Sequence, residues 1–215
     1  ANKLEHLVQG KLSGAHEYFL IRALFCEEPI STLFSDNEQA QAEIDKDFQR
    51  TLALTEKGPK GDLFNQISYL ETFHYLQNML LRDVDMMSMA HPLEVRVPFM
   101  DHRLVELMFK IPGKEKVSKE NYAKSLMINS MKSLIPDSVS HRKKMGFTFP
   151  FELWMRGALR PEMENVLLTP MNQLANLVSQ DAIEKVWSDF LSGQVSWSRP
   201  WALYVLKSWI NRNLS

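Results

Sequence analysis

The residues best suited to chemistry gather in two places. Glu94-Val95-Arg96-Val97-Pro98-Phe99-Met100-Asp101 sets two carboxylates and a guanidinium in an apolar stretch. In an extended backbone Glu94, Arg96 and Pro98 share one face, so Glu94 and Arg96 can pair. If the segment lies inside, each charge needs a partner or a metal, because an unpaired buried charge costs several kcal/mol. Asp101 is also suited to cap the helix that follows. The second place is the basic knot Arg142-Lys143-Lys144 beside Gly146. Lys144 sits in a loop with Phe147, Phe149 and Phe151 close behind, aromatics able to root that loop on a core. From Arg103 to Lys144 there are 10 basic and 4 acidic residues, in a chain whose net charge is −1. Such local positive charge points to an anion site, phosphate in particular.

Other chemistries find little support. The histidines at 6, 16, 74, 91, 102 and 141 have no metal-ligand spacing, and a single cysteine, Cys26, gives a structural zinc nothing to build on. Cys26 reads as a small buried apolar residue, and one cysteine suits a reducing, cytoplasmic setting. Gly-x-Gly-x-x-Gly, P-loop and Gly-x-Ser-x-Gly patterns do not occur. The near-neutral charge speaks against a general nucleic-acid binder. No apolar run approaches the ~20 residues of a membrane span, and the N-terminus does not read as a signal peptide. The chain starts at Ala1 without Met, which reads as a segment of something longer.

These groups must be positioned by helices. At 215 residues, 45 % apolar, the chain is long enough for a sizeable core. Its periodic stretches have helical spacing, with no convincing alternating strands. Residues 2–25 predict two short helices broken near Gly14. Ser35 with Glu38 forms a capping-box signature, after which Ala40, Ile44, Phe48 and Leu52 recur every four residues until the cluster 57–61. Leu63, Ile67, Leu70, Phe73, Leu76, Leu80, Val84 and Met87 form the strongest stripe, predicting a long core helix buried on more than one side, with Met86, Met87 and Met89 as core filler. Pro92 and Pro98 force an extended loop across the core. Asp101 then caps a helix ended by Pro112-Gly113, and Ser118 opens one through Leu134. A loop spans 137–150. Helices follow near 151–157, 161–168 and 179–192, and from Ser198 to Leu214 with Pro200 in its first turn.

The run 80–106, from Leu80-Leu81-Arg82-Asp83-Val84-Asp85 through Leu93-Glu94-Val95-Arg96-Val97-Pro98-Phe99-Met100-Asp101, closely resembles the glutamine-hydrolysing asparagine synthetases. Leu134-Ile135-Pro136-Asp137, Arg142-Lys143-Lys144-Met145-Gly146-Phe147 and Trp154-Met155-Arg156-Gly157 recur in that family in the same order. The match covers roughly 70–157. It implies a mainly α chain, the helical C-terminal portion of an α/β ATP-pyrophosphatase-type synthetase domain. The expected division is N-terminal helices over 1–56, a family core over 62–157 and C-terminal helices over 158–215, all within a single helical domain or subdomain.

The implied reaction is ATP-dependent asparagine synthesis. The aspartate β-carboxylate attacks the α-phosphorus of ATP, pyrophosphate leaves, and ammonia displaces AMP from β-aspartyl-AMP. The resemblance assigns Lys144 to the phosphates and Glu94 to the adenylate pocket, both as catalytic residues, with Arg96 orienting Glu94. It places Asp101 near pyrophosphate and its Mg²⁺, and Lys124 and Arg142 among the pyrophosphate-binding residues. A carboxylate accepting the proton from ammonia is expected near 62–71, where Asp62 and Glu71 are the candidates. ATP and Mg²⁺ are the implied cofactors. Aspartate and ammonia or glutamine are the substrates, with an upstream ATP-binding half and glutaminase domain on the same chain. The family allows a homodimer and implies neither nucleic acid nor membrane.

The departures are specific. The family's Ser-Gly-Gly-x-Asp-Ser loop and nucleophilic N-terminal cysteine are absent, so the chain is expected to be inactive alone. A Lys-x-x-x-Arg pair common in the family has its lysine at Lys124, but Ile128 replaces the arginine. Two alternatives remain at this stage. One is another adenylating amide former, such as a β-lactam synthetase-like enzyme. The other is a helical interaction module.

Overall fold

The computed structural model describes residues 15–25, 32–34, 37–117, 124–140, 142, 146, 149–172 and 177–214. Within them the chain is helical and contains no strand, as the spacing predicts. It divides into two compact units. One comprises Ala1–Gln9, Leu20–Asp47 and Phe147–Ser215, and is called here the C-terminal unit. The other, the central unit, comprises Gly10–Phe19 and Phe48–Gly146.

Helix α1 is Ala15–Arg22 and α2 is Glu38–Lys57. Ser35 lies outside the described residues. The visible cap of α2 is Asn37, whose Oδ1 accepts from the Ala40 N–H at 3.0 Å. The Lys57-Gly58-Pro59 cluster ends α2 as expected, and Gly61 turns the chain at φ +75°. Helix α3 follows as one unbroken run over 63–89. It is α-helical over Leu63–Glu71, π-helical over Thr72–Leu81 and α-helical again over Arg82–Met89. A 3₁₀ turn, Pro98–Met100, precedes α4, His102–Lys110. The short α5 is Gly113–Lys116, α6 is Ser125–Ser130 and α7 is Asp137–Ser140. Helix α6 is much shorter than the one expected from Ser118 to Leu134. Ser118 lies outside the described residues, and 131–134 forms turns before Pro136.

The central unit shows where periodicity misleads. Of the α3 stripe only Leu70 is fully buried. Met79, Leu80, Val84, Met86, Met87 and Met89 are exposed, Met87 at 72 %. The extended segment after α3 does not cross a core either, since Leu93, Val95, Val97 and Phe99 are exposed, Phe99 at 64 %. A 3–4 spacing says that one face is apolar. It does not say that the covering surface belongs to the same stretch of chain. What is buried here is partly polar: Thr51 Oγ1 lies 3.2 Å from His74 Nε2, and the His74 ring lies 5.4 Å from that of Tyr18.

The start of α3 is pinned. Asp62 caps it, accepting from the Asn65 N–H at 3.2 Å, and its Oδ2 also accepts from the Gly113 N–H at 2.5 Å. Asn65 Nδ2 donates to Ile111 O at 3.0 Å, and its Oδ1 accepts from Lys116 Nζ at 2.5 Å. Hence Pro112-Gly113, which ends α4, also docks on the first turn of α3.

The C-terminal unit has its own core. Helices α8 (Phe151–Arg156), α9 (Arg160–Leu168), α10 (Gln180–Leu191) and α11 (Ser198–Asn213) fall where the spacing places them. Met163 and Leu167 from α9, Ile183, Trp187 and Phe190 from α10, and Leu203 and Ile210 from α11 are buried together with Met155. Basic side chains close two helix C-termini, satisfying carbonyls that have no partner within their own helix. Arg156 donates from Nη1 to Leu191 O at 2.8 Å and from Nη2 to Phe190 O at 2.6 Å. Lys207, almost wholly buried, donates to Leu167 O at 2.9 Å, Thr169 O at 2.7 Å and Gln180 Oε1 at 3.2 Å. Burial pushes its ammonium below the ordinary lysine range, and Glu184 opposes that shift.

Gly113 tests the α3–α5 junction. A Cβ there would lie 2.5 Å from Phe64 Cβ and 2.6 Å from Asp62 Oδ1. Gly113→Ala is expected to destabilise the chain by about 1–3 kcal/mol in urea unfolding; an unchanged midpoint would mean that this junction is not tightly packed.

Candidate functional site

The described candidate residues all belong to the central unit. Glu94 and Arg96 pair as their spacing allows, Arg96 Nε donating to Glu94 Oε1 at 2.9 Å, but both side chains are exposed. The pair therefore does not answer a burial cost; in water it contributes little to stability. Its geometric consequence is to hold a carboxylate and a guanidinium together at the surface, just past the end of α3. There the Leu93 N–H still bonds Ser88 O at 3.0 Å.

Asp101 is the N-cap expected for α4. Its Oδ1 accepts from the Arg103 N–H at 2.9 Å and from Arg103 Nε at 3.1 Å, while Oδ2 accepts from Arg103 Nη2 at 2.9 Å. The Arg103 guanidinium, followed by its backbone N–H, holds the Asp101 carboxyl below the usual carboxylate range. Arg103 was not singled out in the sequence as this partner. The available signal was its place two residues after a helix cap, where a fork-shaped donor can meet both carboxylate oxygens.

Asp101 alone does not make a metal site. Among the described residues no three metal-ligating side chains converge. Mg²⁺ commonly takes only one or two carboxylates and fills its shell with phosphate oxygens and water. To serve in that way Asp101 would have to share an oxygen that Arg103 now holds.

The remaining positions differ in what they offer. Lys124 is exposed and adopts φ +66° at the N-cap of α6, a left-handed conformation uncommon for a side-chain-bearing residue. Arg142 is exposed, its N–H bonded to Val139 O at 3.3 Å. Lys144 lies outside the described residues, as do Lys143, Met145 and Phe147. Glu71 is the last α-helical residue of α3 before the π segment begins. Asp62 is committed to the α3–α5 junction. The Gly113 N–H, then the Asn65 N–H, lowers its pKa, with Lys116 adding a smaller pull. A carboxylate so held is a poor proton acceptor.

That commitment has a pH signature. The folded-state pKa of Asp62 lies below its unfolded value of about 3.9, so its contribution is full above the unfolded pKa and disappears as pH falls through the folded one. Asp62→Asn is expected to lower Tm at pH 7, with the gap to wild type closing below about pH 4. A gap of constant size from pH 7 to pH 3 would contradict the assigned charge.

Three comparisons bear on this arrangement. The family model described as asparagine synthase matches residues 6–211. Asparagine synthetase [glutamine-hydrolyzing] 1 of Bacillus subtilis is 26% identical over 162 residues, covering 75% of this chain and 25% of the relative. Asparagine synthetase [glutamine-hydrolyzing] 3 of the same organism is 34% identical over 116 residues, 50% of this chain and 18% of the relative. Amidase chyE of Penicillium rubens is 24% identical over 133 residues, 56% of this chain and 19% of the relative. The chain thus spans a quarter or less of the length of these relatives. No solved structure matches it.

Proposed function

This chain belongs to the asparagine synthase family, and on that premise we propose that it is part of a glutamine-hydrolysing asparagine synthetase. In this reading the complete gene product activates the aspartate β-carboxylate with ATP, releases pyrophosphate, and lets ammonia from glutamine displace AMP from β-aspartyl-AMP. The observation that carries the reading is the exposed charged segment 94–103. It presents a Glu94–Arg96 pair and an Asp101 carboxylate held ionised by Arg103, on the unit that also bears the basic stretch through Lys144. Exposed and pre-paired charges can meet a ligand without first breaking a core.

The roles proposed are those that the family resemblance implies. Lys144 neutralises charge developing at the phosphoryl centre, with Lys124 and Arg142 supplying further positive charge toward pyrophosphate. Glu94, oriented by Arg96, faces the adenylated substrate. Mg²⁺, bound with ATP, would offset phosphate charge, and Asp101 is the carboxylate we assign to help hold it, sharing an oxygen now bonded to Arg103. Asp62 serves structure, which leaves Glu71 as the remaining candidate proton acceptor from ammonia.

The uncovered apolar surface of the central unit supports the reading from another side. Large apolar side chains left exposed, Met79, Val84, Met87 and Phe99 among them, are of the kind that an interface covers. We assign its cover to the polypeptide that makes the relatives about four times longer than the matched segment. The same polypeptide would hold the pyrophosphate loop and the glutaminase. A second reading has one observation in its favour, the match to a relative named as an amidase; there the same scaffold would act on a different amide or carboxylate.

Lys144→Ala in the complete gene product is expected to lower asparagine synthesis about 10²–10³-fold, the loss typical of one charge-stabilising donor, while glutaminase activity is kept. The 215-residue chain alone is expected to form no AMP from ATP, aspartate and ammonia. Equal synthesis rates for Lys144→Ala and wild type would remove Lys144 from the mechanism.

A further inference from the structure

The guanidinium of Arg103 is gripped along one edge and left open along the other. A guanidinium carries five N–H donors in a planar fork, and each of its two forked edges matches a pair of oxygens. Arg103 gives one edge to Asp101: Nε donates to Oδ1 at 3.1 Å and Nη2 to Oδ2 at 2.9 Å. Asp101 is itself fixed, since its Oδ1 also caps α4 by accepting from the Arg103 N–H at 2.9 Å. The other edge, formed by Nη1 and the second N–H of Nη2, has no partner among the described residues. The side chain is 80 % exposed, so that edge is open to a ligand.

Glu94 and Arg96 repeat the pattern seven residues earlier. There too a carboxylate stands two residues before an arginine and accepts from its Nε, at 2.9 Å. Both pairs are exposed, so neither answers the cost of a buried charge, and as surface ion pairs they add little stability. What such a carboxylate does for its arginine is geometric: it limits the rotamers of a long side chain and leaves the outer edge of the fork in place. Arg103 is the more firmly held of the two, because it engages both oxygens of its carboxylate while Arg96 engages one. A planar pair of N–H groups meets two oxygens of one phosphoryl group. The excess of basic over acidic residues from Arg103 to Lys144 favours a ligand with several negative charges over a lone carboxylate.

We infer that Arg103 contacts phosphate oxygens through its outer edge, and that Asp101 is the positioning residue that braces it. The inference rests on the function proposed above, in which the phosphate at hand is the pyrophosphate part of ATP, and gives Arg103 a ligand of its own. A fork that is already ordered loses less side-chain freedom when the ligand arrives.

The test is calorimetric binding of inorganic pyrophosphate to the complete gene product, without metal or aspartate, which sets any Mg²⁺ role of Asp101 aside. Arg103→Ala is expected to raise the pyrophosphate Kd by about 10–100-fold, the range for hydrogen bonds to a charged group. Arg103→Lys keeps the charge without the fork and should recover only part of that loss. Asp101→Asn keeps a good cap for α4 but removes the charge that grips Arg103. Charge counting predicts tighter anion binding when an acid is deleted, whereas a lost brace predicts binding about 2–10-fold weaker, the cost of ordering one long side chain. Lys185→Ala, which removes an exposed positive charge from the C-terminal unit, should bind like wild type. Equal pyrophosphate binding by Arg103→Ala and wild type, or tighter binding by Asp101→Asn, would overturn the inference while asparagine synthesis by the wild type leaves the proposed function standing. A raised KM for aspartate with pyrophosphate binding unchanged would assign the fork to a carboxylate and overturn it as well. A wild-type gene product that makes no asparagine overturns the proposed function, whatever Arg103 binds. If Arg103→Ala does not fold, Arg103→Gln, which keeps a donor for Asp101 but no charge, replaces it and the same outcomes decide.

Discussion

The apolar face of α3 is the constraint on which the central unit depends. This helix begins at the Asp62–Gly113 junction and delivers the chain into the segment holding Glu94, Arg96 and Asp101, so its placement sets theirs. Yet of its stripe only Leu70 is fully buried, while Met79, Val84 and Met87, and Phe99 beyond the helix, are exposed. Apolar side chains so exposed are unfavourable in water. Two polar pins lie along the segment: Asp62, which ties the start of α3 to Gly113, and beyond the other end the local, exposed Asp101–Arg103 fork. The proposed cover by further polypeptide would supply the hydrophobic stabilisation that these pins do not.

The C-terminal unit is built on the opposite plan. Its core is closed by its own helices, and the ends of α9 and α10 are closed by Lys207 and Arg156 reaching across from other helices. A buried ammonium bonded to two backbone carbonyls and a side-chain amide oxygen is a costly arrangement that ties α11 to the end of α9. The family-like segment Trp154-Met155-Arg156-Gly157 thereby gains a structural meaning. Met155 fills the core, Arg156 ends α10, and Trp154 packs edge-on against Phe151.

Helix positions in the last third of the chain, and the Asp101 cap, were legible in the sequence because they follow local rules: Pro200 in a first turn, a helix cap, and apolar spacing that its own neighbours bury. Burial in the central unit was not legible. The spacing of Leu63 to Met87 is the same whether the face is covered by this segment or by other polypeptide, and the ten-residue π stretch over Thr72–Leu81 leaves no mark in a 3–4 repeat. Within the site, the Glu94–Arg96 pair was readable from an i, i+2 extended spacing, but its exposure was not. The double commitment of Asp62 to Asn65 and Gly113 could not be read either, since it joins positions 51 residues apart.

The central claim is that the carboxylate of the amino-acid substrate attacks the α-phosphorus of ATP. It is tested most directly by following oxygen from ¹⁸O-carboxylate aspartate through turnover by the complete gene product. Attack at the α-phosphorus places one labelled oxygen in AMP, because ammonia displaces AMP at the acyl carbon and leaves that oxygen on phosphorus. Label appearing in inorganic phosphate together with ADP, or asparagine formed with unlabelled AMP, would contradict it.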